Sequence, residues 1–180
     1  MWILRQLLDR LLHTHRRRKA RHQITESRIR SVLFLCRGNA YRSPYAAAAF
    51  KRALAATPTS ASIKVASAGF IAPGHPAPER ALNVAGVRGI DLSSHLSALV
   101  TPPAVRAADL VAVMSEDQAR AIRGYGRGVK LLILGDLDPF SVRSRTIIDP
   151  IGRDAQVVEQ VYSRIDRCVG ELAKLMSSSR

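Results

Sequence analysis

Cysteine is scarce in this chain: Cys36 and Cys168 are the only two among 180 residues. Two thiols cannot staple a disulfide scaffold, and a reducing, cytoplasmic setting fits them better. Aromatic side chains are also few, at 5%. No zinc finger, helix-turn-helix or aromatic-rich RNA motif stands out, so nucleic acid is not an expected partner. Acidic residues number 14 against 28 Lys and Arg, a net +14, which points instead to an anionic small substrate or anionic lipid. No uninterrupted apolar run approaches the roughly 20 residues that a helix needs to cross a bilayer.

What is present suits an ordinary globular domain. The chain is 47% hydrophobic and 23% charged, and its length allows one well-filled core, with or without an appendage. The positive charge is uneven. Residues 1–30 hold nine Lys/Arg against Asp9 and Glu26, half of the whole excess. In "MWILRQLLDRLLHTHRRRKARHQ", Ile3, Leu4, Leu7, Leu8, Leu11 and Leu12 recur at helical spacing, followed by the basic cluster. That order is the reverse of a signal peptide, and no small-residue cleavage site follows. Residues 1–28 therefore read as a basic amphipathic extension to a domain at 29–180. It is either a solvated tail, including an over-extended start of translation, or an interfacial helix whose residues 1–23 meet an anionic membrane or a partner.

From Ser31 onward, strand and helix patterns alternate. "SVLFLC" (31–36), "SIKVASA" (62–68), "DLVAVM" (109–114) and "KLLIL" (130–134) read as strands. Helices are expected from Ser43-Pro44 to about Ala56, with Ser43 as N-cap, over 79–86, over 115–124, and at the end. Val158, Val161, Ile165, Cys168, Leu172 and Leu175 mark the apolar stripe of the last helix. Such alternation predicts a four-stranded parallel sheet with helices on both faces. Ligands of these sheets bind beyond the carboxyl ends of the strands, where Cys36 stands.

The segment "CRGNAYRS" after the first strand has the chemistry of an anion cradle. Gly38 and Asn39 tolerate unusual backbone torsions and can turn successive N–H groups inward, at a helix N-terminus. Arg42 offers a planar fork to two oxygens of a phosphate-like group. The same positive field favours the nucleophilic thiolate of Cys36, to which the Ser43 hydroxyl can donate. A proton donor is also needed, because an alkoxide or phenoxide leaves poorly without one. Asp138 in "DLDPF" and Asp149 in "IIDP" both offer an Asp-Pro step.

The stretch "VLFLCRGNAYRSPYAAAAF" resembles the opening of the low-molecular-weight protein tyrosine phosphatases, with their motif C-x-G-N-x-C-R-S-P. The likeness continues through "VASAGF", "PERALNVAGVRGIDLSSHLS", "ADLVAVMSEDQ" and "IIDPIGRDAQVVEQVYSRI", over about residues 30–176. It implies a flavodoxin-like fold and hydrolysis of phosphomonoesters, phosphotyrosine on proteins above all, through a cysteinyl-phosphate. By resemblance Cys36 is the nucleophile and Arg42 binds phosphate. Arg37, Gly38, Asn39, Ala40, Tyr41 and Ser43 surround the anion, and Ser67 and His95 buttress Asn39. The family's acid lies in the second Asp-Pro, hence Asp149. A phosphorylated protein is the implied substrate, and no metal or organic cofactor is implied.

Departures bear on the substrate. Tyr41 stands where the family often has a second cysteine, and Ile151 where it usually has an aromatic beside the substrate ring. Arg37 replaces a small or apolar residue at the cleft mouth. Ala40 stands where relatives acting on phosphoarginine tend to have threonine. Arsenate reductases of the same fold need two further cysteines, which residues 90–115 lack. The rival readings are a phosphate-binding regulatory module of weak turnover and a phosphatase for another substrate such as phosphoarginine.

Overall fold

The computed structural model describes residues 2–56, 63–126 and 128–178. Ser62, the expected start of the second strand, lies outside the described residues, as do the side chains of Ile3, Leu4 and Leu7. Eleven elements follow one another: α1 (Trp2–Thr25), β1 (Ser31–Cys36), α2 (Arg42–Ala55), β2 (Lys64–Gly69), α3 (Glu79–Val87), α4 (Pro102–Ala107), β3 (Leu110–Val113), α5 (Glu116–Arg123), β4 (Leu131–Ile133), a 3₁₀ turn (Leu134–Leu137) and α6 (Ala155–Ser178). The four strands form one parallel sheet in the order β2-β1-β3-β4. The chain reverses its direction of winding between β1 and β3, so a crevice opens at their carboxyl ends.

Apolar, buried residues from Val32 to Cys36 suit a strand covered on both faces. Val32, Phe34 and Cys36 enter a core with α2, α3 and α6, whereas Leu33 and Leu35 enter a second core with Val105 of α4 and Ile122 of α5. The alanines of α2 let it lie close to the sheet, and Tyr45 and Phe50 fill the wider gaps. Tyr45 stacks on Tyr162 of α6 with ring centroids 3.7 Å apart, and its hydroxyl donates to Asp166 while accepting from Arg88 Nε at 2.9 Å. Burial pushes both phenols well above their ordinary range.

The expected strands and long helices appear at nearly the expected bounds, and α4 is an addition. Thr101 caps α4 by accepting from Ala104 N–H at 3.3 Å, with proline in its first turn. Ser115 does the same for α5. Ser43 does not cap α2: the helix begins at Arg42, and its N-cap residue Tyr41 makes no side-chain cap.

The N-terminal extension is docked on the domain along its second half. Ala20 and Ile24 are buried in the larger core. Arg17 and Arg21 both reach Glu171 of α6, at 2.6 and 3.0 Å. Gln23 Nε2 sits 3.5 Å from the carbonyl of Leu131 on the open edge of the sheet. Leu8, Leu11 and Leu12 stay exposed. No helix among the described residues is long and apolar enough to cross a membrane.

Candidate active site

Cys36 ends β1, and the next seven residues wrap around its sulfur before α2 is under way. Asn39 has φ 50°, a left-handed conformation that asparagine accepts more readily than most residues. Gly38 is not in that region. A Cβ there would meet nothing within 4 Å, and the space beside it belongs to the cleft over Cys36. Its lack of a side chain serves access rather than torsion.

The loop is held from behind by Asn39. Its Nδ2 donates to Ser43 Oγ and to Ser67 Oγ, both at 2.9 Å, and its Oδ1 accepts from the Ala98 N–H at 2.9 Å. His95 Nε2 lies 2.7 Å from the Asn39 carbonyl. Asn39 is fully buried, so each of these bonds satisfies a group that water cannot reach. Ser67 and His95 thus stand where a loop buttress needs them. Ser43 spends its hydroxyl here, 3.0 Å from Cys36 Sγ, rather than on the helix end.

Gly69, at the end of β2, was not singled out by sequence. A Cβ on it would come within 2.7 Å of Asn39 N and 2.8 Å of Arg37 O, both backbone atoms. Phe70 N–H donates to the Arg37 carbonyl at 2.7 Å. The loop backbone rests directly on the backbone of β2, and only glycine permits that approach. The glycine was visible in "VASAGF", but nothing in its neighbours tells which backbone it meets.

Arg42 is buried at 3% exposure. Its Nη1 donates to the Ile147 carbonyl at 3.1 Å, its Nη2 donates to Asp149, and its Nε is buried with no partner among the described residues. A buried, unpartnered guanidinium N–H is a donor suited to an anion oxygen. Asp149 is partly exposed and shares the cleft with Cys36. The cleft has a volume of about 250 Å³, with Ile71 and Ile151 as apolar walls, Ala40 and Tyr41 on the loop, and exposed Arg37 at the mouth. Ile71 is another residue that sequence did not single out.

The two Asp-Pro steps are placed very differently. Asp138 is fully buried away from the cleft, in ion pairs with Arg164 and Arg167 of α6 at 3.1 and 3.0 Å. It cannot meet a leaving group. Cys168 is fully buried in α6, and burial pushes its thiol well above the ordinary range.

Known proteins resemble this chain. The family model "Low molecular weight phosphotyrosine protein phosphatase" matches residues 31–180. A probable low molecular weight protein-tyrosine-phosphatase, EpsP of Ralstonia solanacearum, is 33% identical over 144 residues, covering 78% of this chain and 92% of its own. The protein-arginine-phosphatase of Bacillus subtilis strain 168 is 29% identical over 152 residues, covering 83% of this chain and 98% of its own. The crystal structure of the Erwinia amylovora tyrosine phosphatase amsI superimposes with a TM-score of 0.73 at 27% identity, over 83% of this chain and 94% of that one. The chain belongs to the low-molecular-weight protein tyrosine phosphatases, a family of phosphoric monoester hydrolases. Helix α1 precedes the matched region.

Proposed function

We propose that this phosphatase acts on phosphorylated protein, phosphotyrosine foremost, through a two-step reaction at Cys36. The observation that carries the reading is the meeting of Cys36, Arg42 and Asp149 on one small cleft, with the buried Ser43 hydroxyl 3.0 Å from Cys36 Sγ. The Cys36 thiolate attacks phosphorus in line, so that an S–P bond forms as the P–O bond to the leaving group breaks. Arg42 and the loop amides hold the equatorial oxygens, and Asp149 gives its proton to the leaving oxygen. Water then attacks the cysteinyl-phosphate, and Asp149 takes the proton that water loses. The S–P electron pair returns to sulfur, and inorganic phosphate departs. Rapid denaturation during turnover of a phosphotyrosine peptide should trap phosphate on Cys36, and Cys36→Ala, which has no side-chain nucleophile, should trap none. An unlabelled Cys36 during active turnover would sink the reading.

Phosphoarginine is a second substrate reading. It is favoured by the aliphatic walls Ile71 and Ile151 and by the arginine phosphatase among the relatives. Matched phosphotyrosine and phosphoarginine peptides decide between them by the ratio of kcat/KM.

The domain reading is a phosphatase unit at 29–180 with residues 1–28 as a docked extension. Its setting is cytoplasmic, with residues 1–23 resting on an anionic membrane. Support comes from exposed Leu8 and Leu11 and from exposed Arg18 and Lys19 further along α1. Each basic residue near such a surface contributes about 1 kcal/mol. The full chain should sediment with phosphatidylserine vesicles at low salt, and Leu8→Ser with Leu11→Ser should abolish this. Equal sedimentation of the double variant would overturn it.

A further inference from the structure

Helix α1 lies outside the family match, yet it touches the segment that carries Asp149. His13 is 5% exposed, and its Nε2 lies 3.0 Å from the backbone carbonyl of Asp138. A carbonyl only accepts, so Nε2 carries the hydrogen and His13 donates. The Asp138 carboxylate in turn accepts from Arg164 Nε at 3.1 Å and from Arg167 Nε and Nη2, both at 3.0 Å. Arg164 directs its other two nitrogens onto the chain approaching the cleft, to the Ser144 carbonyl at 2.7 Å and the Thr146 carbonyl at 2.9 Å.

The next residue closes the path. Ile147 N–H donates to the Met114 carbonyl at 2.9 Å, and the Ile147 carbonyl accepts from Arg42 Nη1 at 3.1 Å. Asp149 follows two residues on, bonded to the same guanidinium. Hydrogen bonds linked through short stretches of covalent chain thus join α1 to the acid and the phosphate-binding arginine. The paired contacts of Arg17 and Arg21 with Glu171 keep α1 seated so that His13 can reach.

We infer that His13 is a positioning residue for the reaction: by holding the Asp138 carbonyl, α1 sets where the 138–149 segment delivers the Asp149 carboxyl over Cys36. This rests on the reading of Asp149 as acid. The dependence is selective. A displaced acid slows leaving groups that need a proton and spares those that do not, because attack by sulfur makes no use of that proton.

The test uses the full chain with His13→Ala and His13→Gln, the second of which restores an amide donor. The measurement is kcat/KM on phenyl phosphate and on dinitrophenyl phosphate, whose leaving group needs no proton. His13→Ala should lower the phenyl phosphate value by about 2- to 30-fold, the range for coupling through a packed network, and leave dinitrophenyl phosphate within about twofold. His13→Gln should recover most of the loss. If His13→Ala does not fold, Arg17→Gln with Arg21→Gln, which unseats α1 from α6, must show the same selectivity. Equal losses on the two substrates, or none on either, would overturn the inference. The Asp149→Ala variant separates this from a failure of the acid assignment, since Asp149→Ala must itself show the selective loss.

Discussion

Nη2 of Arg42 donates a hydrogen bond to Asp149 Oδ2, although 107 positions separate the two in sequence. The proposed phosphate-binding cation and the proposed acid therefore share one bond, and a phosphoryl group held by Arg42 would compete for it. Asp149→Ala should bind vanadate or inorganic phosphate at least as tightly as the wild type, because a competing carboxylate is gone. Its turnover of phenyl phosphate should fall by roughly 10²- to 10⁴-fold. Isothermal titration beside steady-state rates checks both halves, and weakened anion binding would contradict the competition.

Asp138→Asn should act mainly on stability, with no more than the selective rate loss expected of His13→Ala. It leaves Arg164 and Arg167 without their buried counter-charge, and breaking a buried pair in this way costs about 3–5 kcal/mol. Urea unfolding should show most of that loss. An Asp138→Asn protein of full stability would mean that the two arginines find other acceptors.

The two cysteines should differ sharply in reactivity. Cys36→Ser should lose turnover and keep phosphate binding, since Arg42 and the loop amides remain. Iodoacetate at neutral pH should label Cys36, with protection by phosphate, and should spare Cys168, which is buried and held as the neutral thiol. Peptide mapping by mass spectrometry reads this directly.

Gly69→Ala tests the contact between loop and strand. Its new Cβ meets loop backbone below 3.0 Å, so something must shift, at a cost of about 1–3 kcal/mol for overpacking. Loss of phosphate affinity should accompany the loss of stability, because the atoms displaced belong to Asn39 and Arg37. Unchanged affinity would mean that the strand yields rather than the loop.

Alkaline pH should weaken the fold through Cys168. Its native thiol is raised above the ordinary value, so above about pH 8.5 the unfolded chain releases a proton that the native chain keeps. The native state then binds more protons, and stability falls as pH rises, by at most about 1.4 kcal/mol per pH unit for one group. Tyr45 and Tyr162, raised in the same direction, extend the decline above about pH 10. Cys168→Ala should flatten the slope of unfolding free energy between about pH 8.5 and 10, measured by urea titration at several pH values.

Much of the fold was legible because its signals are local. A continuous apolar run ending at Cys36 is a buried parallel strand, and the stripe from Val158 to Leu175 is a helix face. The short helix at Pro102–Ala107 carried a readable start in Thr101 and its prolines, yet with six residues it shows no apolar period. Ser43 misled for the opposite reason. Ser-Pro is good helix-start chemistry, but the hydroxyl was drawn to Cys36 and Asn39, partners that a local rule does not include.

Sequence by itself determined the chemistry of the cradle: a thiol, an arginine, a serine and an asparagine within eight residues, at the end of a strand where a parallel sheet keeps its ligands. Their spacing is short enough that the backbone alone brings them together. Tertiary structure decided everything that depends on distant segments meeting. It gave the physical ground for preferring Asp149 to Asp138, two identical dipeptides of which one lines the cleft and the other is neutralised by two arginines of α6. It set Gly69 against the loop, and it seated His13 on a carbonyl 125 residues away. The physical reason is the same in each case. A hydrogen bond or a close backbone approach depends on position in space, and for residues tens to more than a hundred positions apart only the packing of the whole sheet and its helices supplies that position.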